Sequence, residues 1–419
     1  MGLRLLWVTI LVGVALVSGL TTYSALAARF PRSSPAAFAS PSAAPTASPT
    51  ASATPPPTPT PSPTPTPDPT VVLKKIDVPA EFRYLVVGNT PDLRLIVLDL
   101  DAKTASDVGT IRVPTTAGLQ LPPISSSADG KTLLITVSMA AGGATVYLVR
   151  PDRGDSQALV RGSVVSALIS PDATRFAIGR NDADPTATGL WIGTVADGQL
   201  HRLVADNPQT VGSPPRPLAF SPDASLLAFG IGLGESGDQA ALVSVSSPEL
   251  RVDRSGNGVQ VTGGDVALLS AVSGAEFHTN TELFAWSSRS MFGGVTATYV
   301  YDVAAKRQTG LFRSATEDVV ITAAAWRPSA DQYATLERPA CCGVDLPQTA
   351  WLRGRDGSAR KLNDQPVAVV ETWWSHDGSR MFAREAADDS TGVIVDLLTG
   401  RGVVTFCLRG GGPPPAPCS

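Results

Sequence analysis

Few residues of this 419-residue chain could do chemistry, and they are scattered. The pattern around each of the three histidines, His201, His278 and His376, puts it in a turn or at a strand end. A hydrolase-type serine nucleophile needs a sharp elbow written G-x-S-x-G, and the chain has none. Nothing marks a Ser-His-Asp triad assembled from distant segments. H-E-x-x-H, C-x-x-C and G-x-x-x-x-G-K-[ST] are also absent, which removes the commonest zinc, redox and phosphate motifs. Three His and four Cys leave little for a multi-ligand metal cluster, so no metal and no cofactor are expected. Asp253, Ser255 and Asn257, in the run DRSGNG, offer oxygens at alternate positions as a calcium loop does. No Glu follows at the twelfth position, and the run reads as a hairpin turn. Glu235 and Asp238 mark a second acidic, glycine-rich loop, read as solvated. Lys plus Arg total 33 against 37 Asp plus Glu, a net charge of −4. That balance excludes a basic, phosphate-tracking surface, so nucleic acid is not expected as a partner.

The elements that would carry these residues begin with an address. Residues 1–30 hold an apolar run from Leu5 to Leu20, followed by Ala25-Leu26-Ala27, an A-x-A cleavage pattern. Sixteen helical residues span roughly 24 Å, short of a hydrocarbon core of about 30 Å. The segment reads as a signal peptide, with an uncleaved anchor over residues 5–28 as the alternative; either way the remainder is exported to the cell surface or beyond. Residues 31–70 are Pro, Thr, Ser and Ala almost throughout. Proline lacks a donor and fixes φ, so this linker is expected to be a disordered, polyproline-like spacer.

Export makes disulfides plausible. Cys407 falls on the expected final strand and Cys418 in the tail, separated by Gly-Gly-Gly-Pro-Pro-Pro. Their pairing would pin the tail, and Cys341 and Cys342, adjacent in a loop, would form the second pair. Four cysteines allow three full pairings, and these are the expected ones.

Between linker and tail one pattern recurs: an apolar residue, Ser-Pro-Asp-Ala or a variant, then an apolar strand. The copies include Phe220-Ser221-Pro222-Asp223-Ala224, Ile169-Ser170-Pro171-Asp172-Ala173, Trp374-Ser375-His376-Asp377-Gly378 and Ser127-Ala128-Asp129-Gly130. Two degenerate copies lack the aspartate, at Asn280 and Ser329, and a weaker one precedes Tyr84 at Glu81. Proline sets φ for a tight turn, and aspartate bonds the backbone of its own turn. Asp129, Asp172, Asp223, Asn280 and Asp377 are therefore read as structural turn residues, not ligands. The copies recur roughly every 50 residues, each with a downstream strand pair such as Thr145–Val149 or Thr298–Asp302. Four strands per unit and seven units predict an all-β fold, a seven-bladed β-propeller over residues 71–409 with a tail over 410–419. The 42 residues after position 377 suffice for one more unit.

The Ser-Pro-Asp-Gly turn followed by a Leu-Ala-Phe strand resembles the TolB-like β-propeller repeat. That resemblance implies a protein-binding platform in the bacterial envelope, or an accessory domain of a peptidase, whose hydrolase domain finds no residues here. The expected function is a non-catalytic interaction platform that binds a protein or envelope polymer. The alternatives are a propeller enzyme acting on polysaccharide and a membrane-anchored envelope sensor. The membrane enters only through an uncleaved N-terminal segment. The longest loops expected to converge on a binding face are 181–189, 230–239, 248–264 and 338–348.

Overall fold

The computed structural model describes residues 69–407 except 90, 114–122, 139–142, 183, 185, 207–212, 233–237, 255–258, 270–271, 288–295, 315–317, 341–346, 364–368 and 387–390. The apolar segment over residues 5–28, most of the linker, Cys341, Cys342 and Cys418 lie outside the described residues.

Seven sheets follow one another along the chain. Blade 1 holds β1 (Thr70–Leu73), β2 (Phe82–Asn89), β3 (Asp92–Asp99) and β4 (Thr104–Arg112). Blade 2 holds β5 (Ile124–Ser126), β6 (Leu133–Ser138), β7 (Ala144–Arg150) and β8 (Asp155–Gly162). Blade 3 holds β9 (Val164–Ile169), β10 (Arg175–Arg180), β11 (Gly189–Thr194) and β12 (Leu200–Ala205). Blade 4 starts with β13 (Arg216–Phe220), β14 (Leu226–Gly232) and β15 (Asp238–Ser244). A hairpin of β16 (Leu250–Asp253) and β17 (Gln260–Thr262) intervenes before β18 (Val266–Leu269) completes that blade. Blade 5 holds β19 (Gly274–Phe277), β20 (Glu282–Ser287), β21 (Ala297–Asp302) and β22 (Arg307–Arg313). Blade 6 holds β23 (Val319–Trp326), β24 (Gln332–Pro339), β25 (Thr349–Gly354) and β26 (Ala359–Lys361). Blade 7 holds β27 (Val369–Trp374), β28 (Met381–Ala386), β29 (Thr391–Asp396) and β30 (Arg401–Cys407). The described residues after 377 thus complete blade 7, because each repeat turn joins the first strand of a blade to its second.

The blades close into a β-propeller. Each sheet is covered on both faces, which is why its central strands read as unbroken apolar runs. On β14, Leu227 and Phe229 pack toward blade 3 while Ala228 packs toward blade 5. The last interface unites Phe382, Ile394 and Val404 of blade 7 with Leu85, Ile96 and Leu98 of blade 1.

Strands one to four of blades 2 to 7 are antiparallel to their neighbours in the blade, so the first-to-second and third-to-fourth connections of these blades share one face, the turn face. The loops 181–189, 230–239 and 338–348 join second to third strands and belong to the opposite face. The fourth expected loop, 248–264, is largely the β16–β17 hairpin. Its alternating Leu250 and Val252 are buried, and β16 adds in parallel to β12, extending blade 3 to six strands.

Blade 1 departs from the others. Glu81, just ahead of β2, accepts a hydrogen bond (2.9 Å) from the backbone N–H of His376 in the first turn of blade 7. The β3–β4 turn meets that same turn of blade 7, where Arg380 pairs with Asp101. Strand β2 therefore starts at the turn face, as second strands do. β2, β3 and β4 hold the second to fourth positions, and β1 adds outside β4. The innermost position of blade 1 carries no strand among the described residues.

Candidate functional site

The repeat turns are built around a buried serine as much as around the aspartate. In blade 4, Ser221 donates to Asp223 Oδ1 (2.6 Å), which also accepts from Ser225 N–H (3.1 Å), and Leu226 N–H donates back to Ser221 Oγ (2.9 Å). Ser127 with Asp129, Ser170 with Asp172 and Ser375 with Asp377 repeat this latch. All four serines are buried. The Ser221 and Ser225 hydrogen bonds hold the Asp223 carboxyl below the usual range, and those from Ser375 and Ser379 bring Asp377 down to about 2. The left-handed residue that ends the turn is glycine at Gly130 (φ 66°) and Gly378 (φ 69°), but alanine at Ala173 (φ 58°) and Ala224 (φ 54°). The latch tolerates that local cost.

Blades 5 and 6 lack the latch, and a groove of about 710 Å³ opens between their turns. His278 stands where the serine would be. Its ring stacks on Trp326 (centroids 4.4 Å apart), and its Nε2 meets Glu282 at 2.7 Å. Thr279, not Asn280, accepts the turn's backbone N–H groups, from Thr281 (3.2 Å) and Glu282 (2.9 Å). Asn280 Oδ1 reaches out instead to Asp223 N–H of blade 4 (3.0 Å). In blade 6, Pro328 and the left-handed Ser329 (φ 58°) give a turn of type II form.

Three features give the groove its chemistry. Glu276, only partly buried as a residue, has its carboxyl group enclosed, and burial pushes it up to about 7; its Oε1 accepts from Trp326 N–H. Arg355 pairs with Glu282 (3.0 Å) and lies over the Trp326 ring at 5.2 Å. The Arg355 hydrogen bond keeps Glu282 below the usual carboxylate range. Burial holds the His278 pKa below its ordinary value, against the pull of Glu282. With Nε2–H donating to Glu282, Nδ1 is left as a buried acceptor without a partner among the described residues. A perturbed carboxyl, an aromatic floor and an unspent acceptor in one concavity are the marks of a binding site. The sequence signal was present as the loss of the turn aspartate at Asn280 and Ser329.

A second concavity, of about 230 Å³, lies beside β2 of blade 1. Arg83 and Arg384 (3.1 Å) share the single carboxylate of Glu371 there, and Arg83 lies over the Trp373 ring at 4.7 Å. The Nε atoms of both arginines are buried and without a partner among the described residues.

Elsewhere, Asp253 ends β16, while Ser255, Asn257 and Glu235 lie outside the described residues. Among the described residues no group of three or more His, Cys, Asp and Glu is gathered for a metal, and no helix is long and apolar enough to cross a membrane. Cys407 closes β30, and the pairing of the four cysteines falls outside the described residues. His201, on β12, is not in either concavity.

No family model and no curated protein matches the chain. Solved structures do resemble it. The TolB of Acinetobacter baumannii is 14% identical over 68% of this chain and 64% of its own length, with a TM-score of 0.40. A TolB-annotated structure from Agrobacterium tumefaciens is 16% identical over 69% and 96%, with a TM-score of 0.43. The β-propeller domain of the Trilobed protease from Pyrococcus furiosus is 9% identical over 78% and 95%, with a TM-score of 0.47. These likenesses concern the fold, which is a β-propeller with TolB-like repeat turns.

Proposed function

We propose that this is an exported or cell-surface β-propeller that acts as a non-catalytic binding platform in the envelope. Its partner, a protein or an envelope polymer, lies in the groove between blades 5 and 6. The observation that carries the reading is the missing latch. The only two turns in blades 2 to 7 without the Ser–Asp pair are the two that border the groove, and aromatic and ionisable side chains replace it there. The N-terminal apolar segment and the Thr-Pro spacer support export and display at a distance from the envelope.

The test uses the purified full chain as bait for envelope extract, with Ala330→Trp as the variant that fills the groove mouth. Retention of one protein, or of the insoluble wall fraction, that Ala330→Trp abolishes supports the platform. Equal retention by both chains, or none by either, counts against it. A second reading, an enzyme acting on polysaccharide, has one observation in its favour: a carboxyl poised near pH 7 suits a general acid. Release of reducing ends from envelope glycan, lost in Glu276→Gln, would decide for that reading.

A further inference from the structure

The groove between blades 5 and 6 is walled by Glu276, Glu282 and Asp331, and no lysine or arginine lines it. Arg355 is the one arginine paired with these groups among the described residues, and it is engaged: it meets Glu282 at 3.0 Å, approaches Asp331 at 3.7 Å and lies over Trp326. His278 brings no compensating charge, because burial holds its pKa below the ordinary value. Glu282 and Asp331 against Arg355 leave one net negative charge, and Glu276 adds a second when it ionises.

Two acceptors in this wall have no donor among the described residues. Glu276 offers Oε1 to Trp326 N–H, while its Oε2 makes no hydrogen bond there. His278 gives Nε2–H to Glu282, which leaves its buried Nδ1 as a lone pair. Acceptors enclosed without donors are costly, and N–H groups brought by a ligand would relieve that cost. The aromatic side of the groove narrows the choice further. Trp326 is 6% exposed, and His278, Tyr333 (5.7 Å) and Arg355 already lie against its ring, so no bare face is left for a sugar to stack on. At the mouth, Asp331 is 79% exposed and is the first charge an arriving ligand meets.

Resting on the reading of this groove as the binding site, we propose that it takes a lysine ammonium presented by an exposed segment of a protein partner. An ammonium is a compact charge with three radiating donors, which fits acceptors held on two separate blades; a guanidinium fork fits the face of one carboxylate. The same wall repels an acidic polymer, so charge selects the partner as well as holding it.

Fluorescence anisotropy with the full chain tests this, at fixed ionic strength, on three labelled peptides: Gly-Gly-Lys-Lys-Gly-Gly, its form with both lysines acetylated, and Gly-Gly-Glu-Glu-Gly-Gly. The lysine peptide should bind about tenfold or more tightly than the other two, and Ala330→Trp should abolish that binding. Asp331→Lys, at an exposed position, should weaken it about tenfold, and carries the test if Ala330→Trp does not fold. Glu276 shares the groove with His278, Glu282, Asp331 and Arg355; His278 is held below its ordinary value and Glu282 below the carboxylate range. Raising the pH from 6.5 to 8 ionises Glu276 and should tighten binding about fourfold, a dependence that Glu276→Gln should flatten. Equal binding of the lysine and acetyl-lysine peptides, tighter binding of the glutamate peptide, or no binding of any of them would overturn the proposal. So would lysine-peptide binding that Ala330→Trp and Asp331→Lys leave unchanged. The platform reading fails separately, if retention from envelope extract is indifferent to Ala330→Trp. Retention lost in Ala330→Trp but kept in Asp331→Lys leaves the platform standing and overturns the lysine.

Discussion

Replacing Arg254 by alanine removes the cation from an ion pair that has no access to water. The Arg254 side chain is 3% exposed and that of Asp206 is 0%. The guanidinium grips the carboxylate with two bonds, Nε to Oδ1 at 3.2 Å and Nη2 to Oδ2 at 2.6 Å. It also donates to the carbonyls of Ser213 (2.7 Å) and Gly232. The residue sits at the far end of β16, so it ties the inserted hairpin to blade 3 through Asp206 and to blade 4 through Gly232. Losing one partner of such a pair leaves a buried, uncompensated charge, at a cost of about 3–5 kcal/mol. Over roughly 350 residues, at about 2.1 cal/mol/K each, 4 kcal/mol lowers Tm by about 5 °C. Thermal melts and urea titrations of the full chain measure this. The double variant Arg254→Met/Asp206→Leu should recover most of the loss, because an apolar pair of similar volume avoids the desolvation. A loss below about 1 kcal/mol for Arg254→Ala, or a double variant as unstable as the single, would refute the assignment of the pair as a buried clamp.

Three further outcomes are expected. The folded Glu276 pKa of about 7 lies above its ordinary 4.5, so the native state binds the extra proton and stability falls as pH rises from 4.5 through 7. Glu276→Gln should remove that slope and raise stability at pH 8 by up to about 3 kcal/mol, read from urea midpoints at pH 5 and 8. Asp377 has the opposite sign: its pKa is depressed to about 2, so its contribution is present above about 3.8 and vanishes as pH falls through 2. Asp377→Ala should lower Tm at pH 7, and the difference should close near pH 2. A Cβ on Gly193 would stand 2.2 Å from the Phe176 ring, so Gly193→Ala should cost about 1–3 kcal/mol by overpacking, partly relieved by Phe176→Leu in a denaturant comparison.

The sequence by itself determined the propeller. Its signal is local: a turn that needs serine, proline and aspartate within a few residues, followed by an apolar strand, repeats wherever one blade's first hairpin recurs. Even the groove left a trace, since Asn280 and Ser329 interrupt that local code. What local spacing could not carry was anything assembled between blades. Glu276 acquires its raised pKa from enclosure across the blade 5–6 interface and meets Trp326 fifty positions away. The segment 248–264 looked like a loop because its hairpin pairs over only three residues on each side, and what anchors it is the parallel pairing of β16 with β12, a strand of another blade. Arg254 and Asp206 are 48 residues apart, and nothing in either neighbourhood announces the other. The place of β1 is the extreme case. Residues 70–89 contain two strands in either arrangement, and only the pairing of β1 with β4, far along the chain, decides that the first of them forms the outer edge of the blade.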